Sequence, residues 1–143
     1  MTAEIILRRK GSKVHTVKPD DTVMHAANSL DAATVGAVVV SEDGEHIDGI
    51  LSERDIVRAL ADRGEVGLKL PASEIMTREV KTCSVQDRAI SIMGMMNRHG
   101  IGHVPVTQDG KMVGLISIGD IIQRRLDEVE ADAKAMREYI TGA

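Results

Sequence analysis

The chain has 143 residues, 43% of them hydrophobic, and a formal net charge of −4. This describes one globular domain with a substantial core and gives no electrostatic case for a nucleic-acid partner. Aromatic residues make up 1%, with no Trp, no Phe and Tyr139 alone, so the stacking platforms of single-strand binders are missing. Cys83 is the single cysteine, which excludes a disulfide framework and a CxxC metal site.

No apolar run approaches the roughly 18–20 residues of a membrane span, and residues 1–9 lack the order of a secretory signal. A soluble, cytoplasmic protein with no membrane partner is the expectation. Ile5 to Leu7 predict a short strand or helix, ended by the polar stretch 8–13 with Gly11. Val14 and Thr16-Val17 predict an extended piece before Pro19. Asp20-Asp21-Thr22 offers N-cap chemistry, and Val23, Ala26, Ala27 and Leu30 follow at helical spacing. Gly36 opens the β-branched run Ala37-Val38-Val39-Val40, bounded by the hairpin-type turn Glu42-Asp43-Gly44. Ile47 and Gly49-Ile50-Leu51 read as its partner strand. Ser52 caps the next helix with Asp55 at capping-box spacing, and Ile56, Val57, Leu60 and Ala61 are its expected buried stripe.

Gly64, Gly67 and Pro71 mark a linker. The order then recurs: a helix from about Asp87 to Arg98, a strand at His103 to Val106, an Asp109-Gly110 turn, a strand at Met112 to Ser117, and a helix. Pro105 inside a strand points to an edge, or to a place where a ligand replaces the ladder partner. The last helix is expected to reach about Tyr139, with Ile122, Leu126, Val129, Ala133, Met136 and Ile140 alternating at spacings of four and three. Such a stripe either lies on its own domain or contacts a second subunit. Its projection beyond the rest of the chain favours the second subunit.

The recurrence is an internal repeat. A shift of 66 carries Val14, Thr16, Asp21, Gly36, Val38, Val40 and Asp43-Gly44 onto Val80, Thr82, Asp87, Gly102, Val104, Val106 and Asp109-Gly110. After a one-residue loss, a shift of 65 carries Gly49, Ser52, Asp55 and Ile56 onto Gly114, Ser117, Asp120 and Ile121. Two copies of one supersecondary unit bury their apolar faces on each other, producing a pseudo-twofold axis and two related clefts. A Ser at a strand-to-helix junction sets its hydroxyl beside the free N–H groups of a helix N-terminus, which favour an anion. A carboxylate one turn later can accept both hydroxyls of a ribose, as acidic residues do in dinucleotide folds. The competing role for Ser52 and Asp55, and for Ser117 and Asp120, is helix capping alone.

The segments Gly49-Ile50-Leu51-Ser52-Glu53-Arg54-Asp55-Ile56 and Gly114-Leu115-Ile116-Ser117-Ile118-Gly119-Asp120-Ile121 resemble the Gly-h-h-Ser/Thr-x-x-Asp signature of the cystathionine-β-synthase (CBS) domain. Met76-Thr77 looks like that family's linker into a second copy. The resemblance covers roughly residues 5–123. It implies an α/β fold, a tandem CBS pair of two β-α-β-β-α repeats related by a pseudo-twofold, with a C-terminal helical extension. The corresponding boundaries are repeat 1 at 5–66, a linker at 67–71, repeat 2 at 72–125 and the extension at 126–143. The resemblance also implies that each cleft joins the strands of one repeat to the Ser-x-x-Asp of the other. One cleft is then expected to combine Val80, Gly102, His103 and Val104 with Ser52, Arg54 and Asp55. The second combines Val14, Gly36, Ala37 and Val38 with Ser117, Gly119 and Asp120. Arg54 and His103 are suited to phosphate, whereas Gly119 and Ala37 stand at the corresponding places of the second cleft. Many family members carry Arg before the His of the second strand, where this chain has Gly102.

Weaker signals lead elsewhere. His99 and His103 are separated by Gly100 and Gly102 and have no clustered ligands to join them, so no metal site is expected. Gly100-Ile101-Gly102 is followed by strand and is not a dinucleotide fingerprint. Cys83 has no evident base partner, and Met93, Met95 and Met96 suit core filling. No nucleophile–base arrangement points to an enzyme. The resemblance implies a non-catalytic, energy-sensing regulatory module that binds an adenine nucleotide (AMP, ADP or ATP) and signals through an unidentified regulated protein or its own homodimer. S-adenosylmethionine or a nicotinamide dinucleotide is a lesser choice of ligand. The alternative is a scaffold protein with vestigial clefts.

Overall fold

The computed structural model describes residues 1–142; Ala143, the last residue of the expected extension, lies outside them. The elements run α1 (Ala3–Lys10), β1 (Thr16–Val17), α2 (Val23–Ala33), β2 (Ala37–Val40), β3 (Gly49–Ser52) and α3 (Glu53–Arg63). A 3-10 helix (Gly64–Lys69) leads into α4 (Ala72–Ile75), β4 (Cys83–Ser84), α5 (Ala89–His99), β5 (His103–Gln108), β6 (Lys111–Ser117) and α6 (Ile118–Thr141). Two three-stranded sheets result, ordered β1-β2-β3 and β4-β5-β6, each with one parallel and one antiparallel pairing. The order β-α-β-β-α thus occurs twice, the tandem arrangement expected from the repeat.

The leading segment of each repeat packs on the other one. Ile6 and Leu7 of α1 join Ile92, Met96, Val104, Ile116 and Ile121 in the core of the second sheet. The backbone follows, with Ala3 N–H donating to Asp87 O and Ala89 N–H to Met1 O. Conversely, Leu70, Ala72 and Met76 complete the core of Val23, Leu30, Val38, Val40, Leu51 and Ile56, and Ala72 N–H donates to Asp21 O at 2.7 Å. Gly114 is glycine for this reason: a Cβ there would stand 2.6 Å from Leu7 Cδ1 and Cδ2. At Gly49 a Cβ would meet the Met76 side chain and stand 3.0 Å from Thr77 O. The expected linker is therefore ordered and forms part of the first core.

Of the two readings of Ile5 to Leu7 the structure takes the helix, with Thr2 as the N-cap. Several other local expectations are corrected. Ile47 is outside the partner strand, which starts at Gly49, because the Asp43 carboxylate gathers the N–H groups of Glu45 and His46 into an extended turn. In α3 the buried residues are Asp55, Ile56 and Ala59, whereas Val57 and Leu60 remain 63% and 39% exposed and Ala61 is exposed. Pro105 lies in the central strand of its sheet and not at an edge. Its counterpart Val39 donates its N–H to His15 O, a bond proline cannot make. Accordingly β4 begins at Cys83, one residue later than the counterpart of Thr16.

Helix α6 runs 24 residues but has only Ile121 buried. Leu126, Val129, Met136 and Ile140 are 50%, 48%, 59% and 73% exposed, so the stripe does not lie on its own domain.

Candidate functional site

The sequence Leu51-Ser52-Glu53-Arg54-Asp55 changes from strand to helix at Ser52, whose extended backbone is that of an N-cap. Ser52 N–H donates to Asp55 Oδ2 at 2.8 Å, and Asp55 N–H donates back to Ser52 Oγ at 3.4 Å. This capping box points the free end of α3 into a cavity of about 500 Å3 between the repeats. Gly36, Ile50, Ser52, Glu53, Arg54, Asp55 and Arg58 line the cavity from the first repeat, with Thr77 from the leading segment of the second and His99, Gly100, Ile101, Gly102 and His103 opposite. The volume lies within the range of small-molecule sites. Arg54 Nη1 donates to Gly100 O at 3.1 Å across the gap, tying α3 to the loop before β5.

Of the residues expected here, Ser52, Arg54, Asp55, Gly102 and His103 come together on this cavity. Val104 is fully buried in the second core, and Val80 is half-buried and does not border the cavity. Gly36, expected on the opposite cleft, faces this one. Its lack of a side chain admits the His103 imidazole, since a Cβ at Gly36 would stand 2.9 Å from His103 Cε1. Burial pushes the His103 imidazole below its ordinary pKa of 6.5, partly opposed by Asp120. His103 is therefore biased toward the neutral form, with Lys10 adding to the effect of burial and Glu53 joining Asp120 against it.

The opposite cleft has the same capping box, with Ser117 N–H donating to Asp120 Oδ2 at 2.8 Å and Asp120 N–H to Ser117 Oγ at 3.1 Å. It differs in one feature that sequence spacing did not suggest. Lys10, the last residue of α1, places its Nζ 2.6 Å from Asp120 Oδ2 and 2.7 Å from Leu115 O. Burial alone would raise the Asp120 carboxyl, but the Lys10 hydrogen bond and the Ser117 N–H hold it below the usual range. Ala37 and Val38 are buried, Val14 is half-buried and Gly119 is exposed.

Arg58, Thr77, His99 and Ile101 also border the first cavity without having been singled out there. Helical periodicity could have found Arg58, one turn after Arg54. Cys83 is buried in the second core, and burial pushes its thiol up to about 12. Asp43, Glu45 and His46 lie close enough together to suggest a cation site. The Asp43 oxygens are committed to the turn, however, and the His46 N–H and ring hold its carboxyl well below the usual range. Among the described residues no helix is long and apolar enough to cross a membrane.

The CBS-domain family model matches residues 4–62 and 72–127. The chain is 34% identical over 127 residues to the mitochondrial CBS-domain-containing protein CBSX3 of Arabidopsis thaliana, matching 86% of this chain but 62% of that relative's length. A crystal structure of a CBS-domain-containing protein from Agrobacterium tumefaciens is 39% identical, with a TM-score of 0.84 over 87% of this chain and 99% of that one. A CBS-domain protein from Pyrobaculum aerophilum, solved with AMP, is 30% identical, with a TM-score of 0.75 over 84% and 89% of the two chains. The CBS pair of the protein MJ0100, solved with 5-methylthioadenosine and S-adenosylmethionine, is 25% identical, with a TM-score of 0.78 over 90% and 98%. Together with two sheets repeating one β-α-β-β-α order, these matches make the chain a tandem CBS-domain pair, a member of the CBS-domain family.

Proposed function

We propose that the chain is a non-catalytic regulatory module that binds one adenine nucleotide (AMP, ADP or ATP) in the cavity bordered by Ser52, Arg54, Asp55 and His103. The observation carrying this reading is the Ser52–Asp55 capping box facing a cavity of about 500 Å3 that also carries Arg54 and Arg58. In it Asp55 Oδ1 accepts only a 3.4 Å contact from Thr77 Oγ1, leaving acceptor capacity for ribose hydroxyls. Arg54 and Arg58 supply guanidinium groups for phosphate, and the helix N-terminus adds its dipole. Relatives solved with AMP or with S-adenosylmethionine and 5-methylthioadenosine support an adenosine-type ligand.

Each repeat supplies one wall of the site, so a bound nucleotide favours one relative packing of the two, which is the basis for a signal. That signal passes through a second copy or a regulated protein. The apolar side chains left exposed on α3 (Val57, Leu60), α5 (Ile90) and α6 (Ile118, Ile122, Leu126) are the proposed homodimer surface. The same surface supports a second reading, a scaffold whose clefts are vestigial.

A thermal-shift panel of AMP, ADP, ATP, S-adenosylmethionine and NAD separates the two readings. A ligand at 100 times its dissociation constant stabilises by about 2.7 kcal/mol. A response to adenine nucleotides supports the sensor, and a flat panel leaves the scaffold.

A further inference from the structure

We propose that Lys10 closes the second cleft and is the residue that restricts nucleotide to the first. This rests on the nucleotide reading above and goes beyond it by assigning the stoichiometry to one side chain. The two capping boxes make the same bond, Ser52 N–H to Asp55 and Ser117 N–H to Asp120, each at 2.8 Å. The clefts differ in what else approaches the carboxylate.

In the first they are neutral hydroxyls, Ser52 Oγ at 3.1 Å from Oδ2 and Thr77 Oγ1 at 3.4 Å from Oδ1. A hydroxyl at such a distance can rotate away as a ribose arrives. In the second it is an ammonium at 2.6 Å from Asp120, which also donates to the strand carbonyl of Leu115 at 2.7 Å. Charge-assisted bonds of this type are about twice as strong as neutral ones. A ribose offers only neutral donors in exchange for this ammonium.

Lys10 is held near the carboxylate by α1, a helix seated by Leu7 against Gly114, where the glycine leaves room for the leucine. One further difference lowers the value of the second cleft to a nucleotide: Gly119 stands where the first cleft has Arg54.

Calorimetric titration and equilibrium dialysis of the full chain with ATP, and separately AMP, provide the test. The forms compared are wild type, Lys10→Met, Lys10→Gln, Lys10→Arg and the double variant K10M/D120N. One nucleotide per chain is expected for wild type and Lys10→Arg. Two are expected for Lys10→Met and for Lys10→Gln, a second neutral form in case one folds poorly. The count returns to one in K10M/D120N. Removing the competing charged donor is expected to tighten the second site roughly ten- to a hundredfold, the equivalent of one hydrogen bond to a charged group. Two nucleotides bound by wild type, or one bound by both neutral variants, overturns the role of Lys10 while leaving the nucleotide reading in place. No binding by any form overturns both.

Discussion

Replacing Asp55 separates helix capping from ligand binding, because the carboxylate does both and the two have different magnitudes. In Asp55→Ala the Ser52 N–H loses its 2.8 Å acceptor and Thr77 Oγ1 its weaker one. Loss of a cap of this kind costs about 1 kcal/mol, within a range of roughly 0.5–2. For a chain of this size that lowers the melting temperature by about 2–4 °C. Asp55→Asn keeps one oxygen for Ser52 N–H and is expected to melt closer to wild type. The proposed ribose contacts behave differently. Each hydroxyl donating to the carboxylate contributes about 1.5–3 kcal/mol, so both variants are expected to weaken nucleotide binding by at least roughly ten- to a hundredfold. Calorimetric titration beside a thermal melt reads the two effects on the same samples. If Asp55→Asn binds nucleotide as wild type does, Asp55 is a helix cap and nothing more.

Arg54→Ala is expected to weaken ATP more than adenosine, because the guanidinium is assigned to phosphate. Equal losses measured by calorimetry would attribute the residue to its 3.1 Å bond with Gly100 O instead. The triple variant L126A/V129A/M136A is expected to shift a homodimer toward monomer in light scattering. Each side chain is about half exposed in the single chain, so completing its burial contributes about 1 kcal/mol; an unchanged dimer assigns assembly to the repeats. For pH, the burial-lowered His103 contributes stability that is present above the ordinary value of 6.5 and lost as pH falls through its lower folded value. Urea denaturation at several pH values between 7.5 and 5 should therefore show wild type losing stability on acidification, with a shallower loss in His103→Gln. A steeper loss in the variant would reverse the assignment.

What the sequence made legible was local. Ser52 with Asp55 and Ser117 with Asp120 lie within one helical turn, so the residues defining each capping box are also the ones that make it. The repeat supplied the topology in the same way, since both copies carry the same punctuation of glycines and hairpin turns. Lys10 was not legible because its partners Leu115 and Asp120 lie 105 and 110 residues away, and a terminal lysine of a helix has the same signature when it points to solvent. The stripe of α3 was mis-phased for a different reason. The helix is apolar on two adjoining faces; Ile56 and Ala59 meet its own core while Val57 and Leu60 do not, and periodicity does not say which face is covered. His103 was expected beside Arg54, but its close approach to Gly36 depends on how the two repeats cross.

The exchange of leading segments has a consequence for how the chain is made. Translation delivers α1 well before its seat on β6, with Leu7 and Gly114 more than a hundred residues apart. Until β6 emerges from the ribosome, the core around Ile6 and Leu7 lacks Ile116 and Ile121. The first sheet, by contrast, can close as soon as residues 70–76 arrive. Closing so long a loop costs only a few kcal/mol more than closing a short one, but it comes late, and contacts this distant in sequence slow folding. The first core thus draws on partners near one another in sequence, while the second is completed only when α1 meets a strand made long after it.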